Sequence, residues 1–167
     1  PGLGPQAQRA SQPLLQPGRH KLVGFAERGQ GLMVAAGNPL RLHSLREAAL
    51  RRARFANRAL GSGTRLLCDE LLARDGLTPE HLNGYERVEP SHAAVAQAIA
   101  SGDVDCGLGI EAAARARGLG FVPLLREHYY LVCLKDALEL PAMRALRHLL
   151  QEPAWQQRLA QLPGFAP

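Results

Sequence analysis

Lysine is almost missing from this chain. Of its 20 basic residues 18 are arginine, and only Lys21 and Lys135 are lysine, set against 15 acidic residues and a formal charge of +5. Cysteine is scarce too: Cys68, Cys106 and Cys133 are an odd, widely spaced set, each inside an apolar pattern. No CxxC pair and no Cys/His ligand spacing occurs, which excludes a zinc site and a disulfide framework of the usual kinds. Buried free thiols are the expectation, and they fit a reducing, cytoplasmic setting. Long apolar runs are also lacking. The chain breaks each one within about ten residues, short of the ~20 a membrane helix needs, so no membrane partner is expected. The opening PGLGPQAQRASQP has no apolar core of a secretory signal and no initiator Met, and it reads as the start of a fragment or processed chain.

What is present is globular. Hydrophobic residues make up 46% and charged residues 21% of 167 positions, enough for one domain with its own core. The arginines cluster once: Arg41, Arg46, Arg51, Arg52, Arg54, Arg58 and Arg65 share a stretch whose only acid is Glu47. Such a stretch suits an anionic small ligand, a nucleic acid or a plain solvated face.

Strand and helix signals alternate along the chain. Residues 1–20, with Pro1, Pro5, Pro13 and Pro17, read as an irregular lead-in. Lys21–Glu27 and Leu32–Ala36 read as two strands around an Arg28-Gly29-Gln30-Gly31 turn. Ser44 caps a helix, with Glu47 completing a capping box. Arg54–Asn57 is a brief strand, and Leu67, Cys68, Leu71 and Leu72 recur at helical spacing until Gly76. Tyr85–Val88 is strand-like, Pro90-Ser91 opens a helix that Gly102 ends, and Val104–Ile110 is a strand. Ala112–Arg117 is a short helix, Phe121–Leu125 and Tyr129–Leu134 are strands, and helices over Leu140–Leu150 and Pro153–Leu162 finish the chain. The alternation means an α/β fold with a mainly parallel sheet.

The most informative stretch is Asn57-Arg58-Ala59-Leu60-Gly61-Ser62-Gly63-Thr64-Arg65, which runs strand, small-residue loop, helix. A helix start leaves backbone N–H groups unpaired and carries about half a positive charge, which makes an anion site. Gly61 and Gly63 let backbone approach a ligand, Ser62 and Thr64 add hydroxyls, and Arg58 and Arg65 add charge. A capped helix after a tight turn uses the same letters. A phosphate-binding P-loop fails for want of a Lys, and a nucleophile elbow fails because Leu60 stands where its first Gly belongs. Gly107-Leu108-Gly109-Ile110-Glu111-Ala112 satisfies GxGxxA, with Glu127 further on, so a dinucleotide-binding enzyme is one alternative; close helix–strand packing explains the same glycines. His20, His43, His81, His128 and His148 sit near element ends and share no helical pairing. His92 differs, because Ser91-His92 begins a helix where an α/β crevice faces its ligand.

Three segments together carry a family resemblance: Gly31–Pro39 (GLMVAAGNP), Phe55–Arg65 (FANRALGSGTR) and Ser91–Glu111 (SHAAVAQAIASGDVDCGLGIE). With Tyr129–Leu134 and Pro141–Leu150 they resemble the carboxy-terminal two-thirds of a type 2 periplasmic-binding-protein fold, of the kind fused to helix-turn-helix or molybdenum-cofactor proteins. LysR-type effector domains share the layout more loosely. The resemblance implies one complete lobe, residues 52–124, and one truncated lobe from 21–51 and 125–167. It implies a ligand-sensing domain of a transcriptional regulator or molybdenum-related protein, with no enzymatic activity, no catalytic residue, no cofactor and no metal. The expected ligand is a small oxyanion such as molybdate or tungstate, held by Asn57, Arg58, Ser62, Gly63, Thr64, Arg65, Ser91 and His92. DNA contact is expected only through a module outside this chain. An exposed apolar face near Leu22–Val34 or Val132–Leu134 is expected to be covered by a homodimer partner or by the missing part of the first lobe. A ligand-free assembly domain is the remaining alternative.

Overall fold

A computed structural model describes residues 15–167; of the expected lead-in over 1–20, residues 1–14 lie outside the described residues and His20 already begins the first strand. The elements in chain order are β1 (His20–Val34), α1 (Leu45–Leu50), β2 (Phe55–Arg58), α2 (Gly63–Arg74), β3 (Val88–Glu89), α3 (His92–Ala100), β4 (Cys106–Ile110), α4 (Glu111–Arg115), β5 (Gly120–Leu134), α5 (Pro141–Gln151), α6 (Pro153–Ala160) and β6 (Phe165–Ala166). One-turn 3₁₀ segments over Pro79–His81 and Lys135–Glu139 complete the order. The strands lie in the order β3-β2-β4-β1-β5, and β6 pairs with β1.

The described residues divide into two compact units, one of residues 29–125 and one of residues 15–28 with 126–167. Strands β1 and β5 each run on from one unit into the other. This division differs from the expected lobes, because residues 29–51 group with 52–124. The reason is packing: Leu32, Val34, Leu42, Leu45 and Ala48 share one buried cluster with Phe55, Leu67 and Leu108.

In the 29–125 unit the two-residue period of the strands sorts side chains to the two faces of the sheet. Val34 pairs with Cys106, which pairs with Phe55, and this row faces the cluster that α1 and α2 cover. The next row, Met33, Gly107 and Ala56, faces α3 and α4 with Val95, Ala96, Ile99 and Ala114. Gly107 has to be glycine there: a Cβ would lie 2.5 Å from Val95 Cγ1 and 2.7 Å from the Ala56 carbonyl oxygen. Helices on both faces of a sheet make a three-layer α/β unit.

The sheet is mixed where the sequence implies a mainly parallel one. Strand β2 is parallel to β3 and to β4, but β1 is antiparallel to β4 and β6 is antiparallel to β1. The expected strand pairs Lys21–Glu27 with Leu32–Ala36, and Phe121–Leu125 with Tyr129–Leu134, are the single strands β1 and β5. Gly31 is not a turn residue. It is pressed against β5, where a Cβ would stand 2.2 Å from the Val122 carbonyl oxygen.

The other unit holds the first part of β1, the second part of β5, α5, α6 and β6. Among the described residues it buries only Ala26 and Leu159. A cavity of about 360 Å³ opens within it, lined by Leu22, Phe25, Tyr130, Arg147, Leu150 and Gln156 among others. The expected apolar face is half there: Val132 and Leu134 are exposed, whereas Leu32, Met33 and Val34 are buried.

Candidate functional site

Parallel pairing brings three carboxyl ends of strands to one edge of the 29–125 unit. β2 ends at Arg58 beside Glu89, the end of β3, and β4 ends at Ile110. Each strand leads straight into a helix start, at Gly63, His92 and Glu111. In open α/β sheets this edge is where ligands bind.

The loop after β2 is shaped by Gly61, whose φ of +82° is a left-handed conformation that suits glycine. Ser62 then caps α2, its Oγ accepting from the Arg65 N–H at 3.2 Å. Ser91 caps α3 in the same way, with Oγ accepting from the Ala94 N–H at 3.0 Å. Neither helix has an acidic residue in its first turn, so neither neutralises its own positive end, and Glu89, just before the Ser91 cap, has Arg87 3.7 Å away. The first-turn N–H groups of Gly63 and Thr64, and of His92 and Ala93, have no intrahelical acceptor by the geometry of a helix start. Gly63 and Ser91 are exposed, while Ser62 and His92 are half-buried. The His92 ring reaches over β4, since a Cβ on Gly109 would come 3.3 Å from its Nδ1. Arg58, at the end of β2, reaches toward the second helix start, its Nη2 donating to the Pro90 carbonyl at 3.3 Å just before the Ser91 cap.

Three expected site residues are instead occupied within the protein. Asn57 is buried: its Nδ2 donates to the Tyr85 carbonyl at 3.2 Å and its Oδ1 accepts from the Arg58 N–H at 2.9 Å. It pins the 82–87 segment to β2. Arg65 is also buried. Its guanidinium lies 3.9 Å over the Tyr85 ring, donates from Nη1 to the Arg58 carbonyl at 3.2 Å, and has Nε 3.8 Å from Asp69 Oδ1. Tyr85 in turn donates to Asp69 at 2.6 Å, and burial first, then that bond, raises its pKa. Arg65 therefore braces the loop from behind and its charge is met by Asp69. Thr64 is buried as well, its Oγ1 donating to Gln30 Oε1 at 2.9 Å, so its one hydroxyl proton is already placed.

Gln30 is the residue that sequence reasoning missed. It is buried in β1, opposite Ile110, which puts it at the edge where β4 ends. Reading residues 28–31 as a turn hid it; the one polar side chain between Gly29 and Val34 is the signal that would have shown it. The dinucleotide motif is not built, for Gly107 and Gly109 lie inside β4, not in a strand-to-helix loop. A Cβ on Gly109 would meet Met33 Cε at 2.5 Å, which confirms packing as their role. Glu127 is held by Arg28 at 2.9 Å. Among the described residues no three His, Cys, Asp or Glu side chains group as a metal site, and no helix is long and apolar enough to cross a membrane.

A three-layer α/β unit with two capped helix starts, neither with an acid in its first turn, at the carboxyl edge of its parallel strands is a domain built to bind a small ligand. Residues 5–151 match the PBP-like domain of the PBP superfamily, and the chain belongs to that family. It is 33% identical over 86% of its length to YvgK of Bacillus subtilis, and it spans 46% of that relative. The fold is that of type 2 periplasmic-binding proteins. A substrate-binding domain of a putative molybdenum ABC transporter from Clostridium difficile superposes with a TM-score of 0.63 at 13% identity, covering 99% of this chain and 74% of its own. A putative phosphate ABC transporter substrate-binding protein with bound phosphate, from Clostridium perfringens, gives 0.64 at 12% identity over 89% and 72%. The effector-binding domain of QuiR in complex with shikimate gives 0.59 at 16% identity over 82% and 66%. These relatives are for the most part binding and sensing proteins.

Proposed function

We propose that this chain is the sensing domain of a cytoplasmic transcriptional regulator or molybdenum-related protein, and that it holds a small oxyanion, molybdate or tungstate first among them. The observation that carries this reading is the pair of helix starts at Gly63 and His92, with no acidic residue in either first turn and with Arg58 at the same sheet edge. An oxyanion there accepts hydrogen bonds from neutral N–H groups, while Arg58 raises its local concentration. Solved structures of this fold whose names include phosphate and molybdenum support an oxyanion; the one holding shikimate keeps a small carboxylate in view.

Gly63→Pro tests the site with little disturbance of the fold. Proline is favoured at the first helical position, the preceding Ser62 is already extended, and a Cβ at Gly63 meets nothing within 4 Å. The change removes one N–H from the proposed site. Losing one hydrogen bond to an anion costs about 1.5–3 kcal/mol, or roughly ten- to a hundredfold in affinity. Titration calorimetry with molybdate, tungstate, sulfate and phosphate is expected to show this loss with an unchanged melting temperature. If no anion binds the parent chain, or if Gly63→Pro binds equally well, the oxyanion reading fails and a ligand-free assembly domain takes its place.

A further inference from the structure

Arg41, Arg46, Arg51 and Arg52 are exposed around α1 and the turns on either side of it, and among the described residues none of them enters an ion pair. The neighbouring Arg54 is different, being held by Asp105 at 2.7 Å. The only acid in the stretch, Glu47, accepts from the His43 N–H at 2.7 Å and leaves three positive charges uncompensated.

The surface that offers these arginines is stiff. Arg41 lies within a turn locked by Asn38, whose Nδ2 donates to the Leu42 carbonyl and whose Oδ1 accepts from the Leu42 N–H, both at 2.9 Å. Leu42 and Leu45 are buried beneath it. The Arg52 carbonyl is held by Asn83 Nδ2 at 3.1 Å. Both Arg41 and Arg52 have positive φ, +49° and +51°, where glycine or asparagine is the cheaper residue. Arginine thus occupies two backbone positions that disfavour it, and both side chains point their charge at solvent rather than at a partner within the chain.

We propose that this arginine surface binds the phosphate backbone of duplex DNA. The site is separate from the helix starts at Gly63 and His92 and does not depend on the oxyanion reading. Charge complementarity is the argument: guanidinium groups match phosphate oxygens two at a time, and four exposed arginines without an ion pair among the described residues, within one short stretch of chain, suit a partner that is itself a run of phosphates. The apolar side of α1, Leu45, Ala48 and Ala49, is buried in the core, which leaves the helix without an apolar face to insert into a bilayer. Only Leu40 and Leu50 stand exposed beside the arginines, too little for the apolar centre of a protein interface.

The experiment is fluorescence anisotropy of a labelled 20-base-pair duplex titrated with the 167-residue chain between 50 and 200 mM KCl. Each phosphate contact contributes a slope of about −0.9 in log affinity against log salt, so four contacts weaken binding about a hundredfold over that range. Arg46→Gln with Arg51→Gln is expected to halve the slope, leaving roughly a tenfold loss. Arg41→Gly with Arg52→Gly is expected to halve it too, with a melting temperature unchanged or raised because the backbone strain is relieved. Arg117→Gln, an exposed arginine elsewhere, keeps the parent slope. Absence of binding at 50 mM KCl, or an unchanged slope in both double variants, overturns the proposal. Binding to phosphatidylserine vesicles without binding to the duplex also overturns it, in favour of a membrane surface.

Discussion

The two units of this chain are built to different degrees. The 29–125 unit has two buried clusters, one on each face of its sheet, with Phe55, Leu32, Met33 and Val95 wholly enclosed. The unit of 15–28 and 126–167 contains an amphipathic helix, α5, with no buried residue, and leaves Leu140, Leu149 and Leu162 about half exposed. The same polypeptide thus has one unit whose elements satisfy one another and one whose apolar surface is only partly used. A rigid edge for a ligand needs the first kind of packing, and that is where the two capped helix starts sit.

The largest expected contrast between the units is in their thiols. Burial pushes Cys68 and Cys106 of the 29–125 unit up to about 12, whereas Cys133 of the other unit is only half-buried. Reaction at the two enclosed thiols requires the unit to open, and opening of a core element costs on the order of 5–15 kcal/mol. At pH 8 a disulfide reagent is therefore expected to modify one thiol per chain quickly. The other two follow more slowly by at least roughly a thousandfold, and all three react in denaturant. Three equal rates in the native protein would remove the distinction between the units.

Side-chain truncation gives the next contrast. Phe55 is 0% exposed, on the face of β2 that α1 and α2 cover, and Phe55→Ala is expected to lower unfolding stability by about 3–5 kcal/mol. Leu149 is 48% exposed, and Leu149→Ala is expected to change it by about 0.5 kcal/mol or less. Urea denaturation of both variants measures the difference. A large loss for Leu149→Ala would mean that the face of α5 is covered in solution.

The sequence was most legible where short-range chemistry sets the outcome. Ser44, Ser62 and Ser91 each cap the helix expected of them, because a serine before an apolar periodic run has few other uses. The capping box at Ser44 departs in one detail, with Glu47 accepting from His43 rather than from Ser44. Boundaries failed where long-range contacts decide. Arg126, Glu127 and His128 look like a break between strands, but they stay in β5 because Glu27 and Arg28 meet them across the ladder. Tyr85–Val88 looks like a strand, yet Tyr85 is turned onto Arg65 and Gly84 passes beneath the Phe55 carbonyl, so only Val88–Glu89 pairs. At the site, the loop Gly61–Thr64 and the start at Ser91 were legible from spacing. The burial of Asn57, Thr64 and Arg65 was not, since it depends on Gln30 and Tyr85, 34 and 28 positions away from Thr64 and Asn57.

The smallest expected effect separates two ion pairs, one in each unit. Arg54 and Asp105 are 51 positions apart and tie the start of β2 to the start of β4: Arg54 donates from its backbone N–H at 2.8 Å and from Nη2 at 2.7 Å to the carboxylate, and from Nη1 to the Gly102 carbonyl at 2.9 Å. Arg144 and Glu139 are five positions apart and fully exposed, so their pairing fixes nothing beyond one turn. In both pairs the arginine hydrogen bond is the main cause holding the carboxylate below its usual range. A depressed folded-state pKa adds stability above the unfolded value, about 4, and that stability is lost as pH falls through the folded value. Lowering the pH from 5 to 2 is thus expected to weaken the fold, and Asp105→Asn is expected to flatten that acid limb while lowering stability slightly at pH 7. Glu139→Gln is expected to leave the whole profile unchanged, because an exposed local pair contributes little to unfolding. Thermal midpoints measured across that pH range decide between them, and equal flattening in both variants would show that the long-range tie counts for no more than the local one.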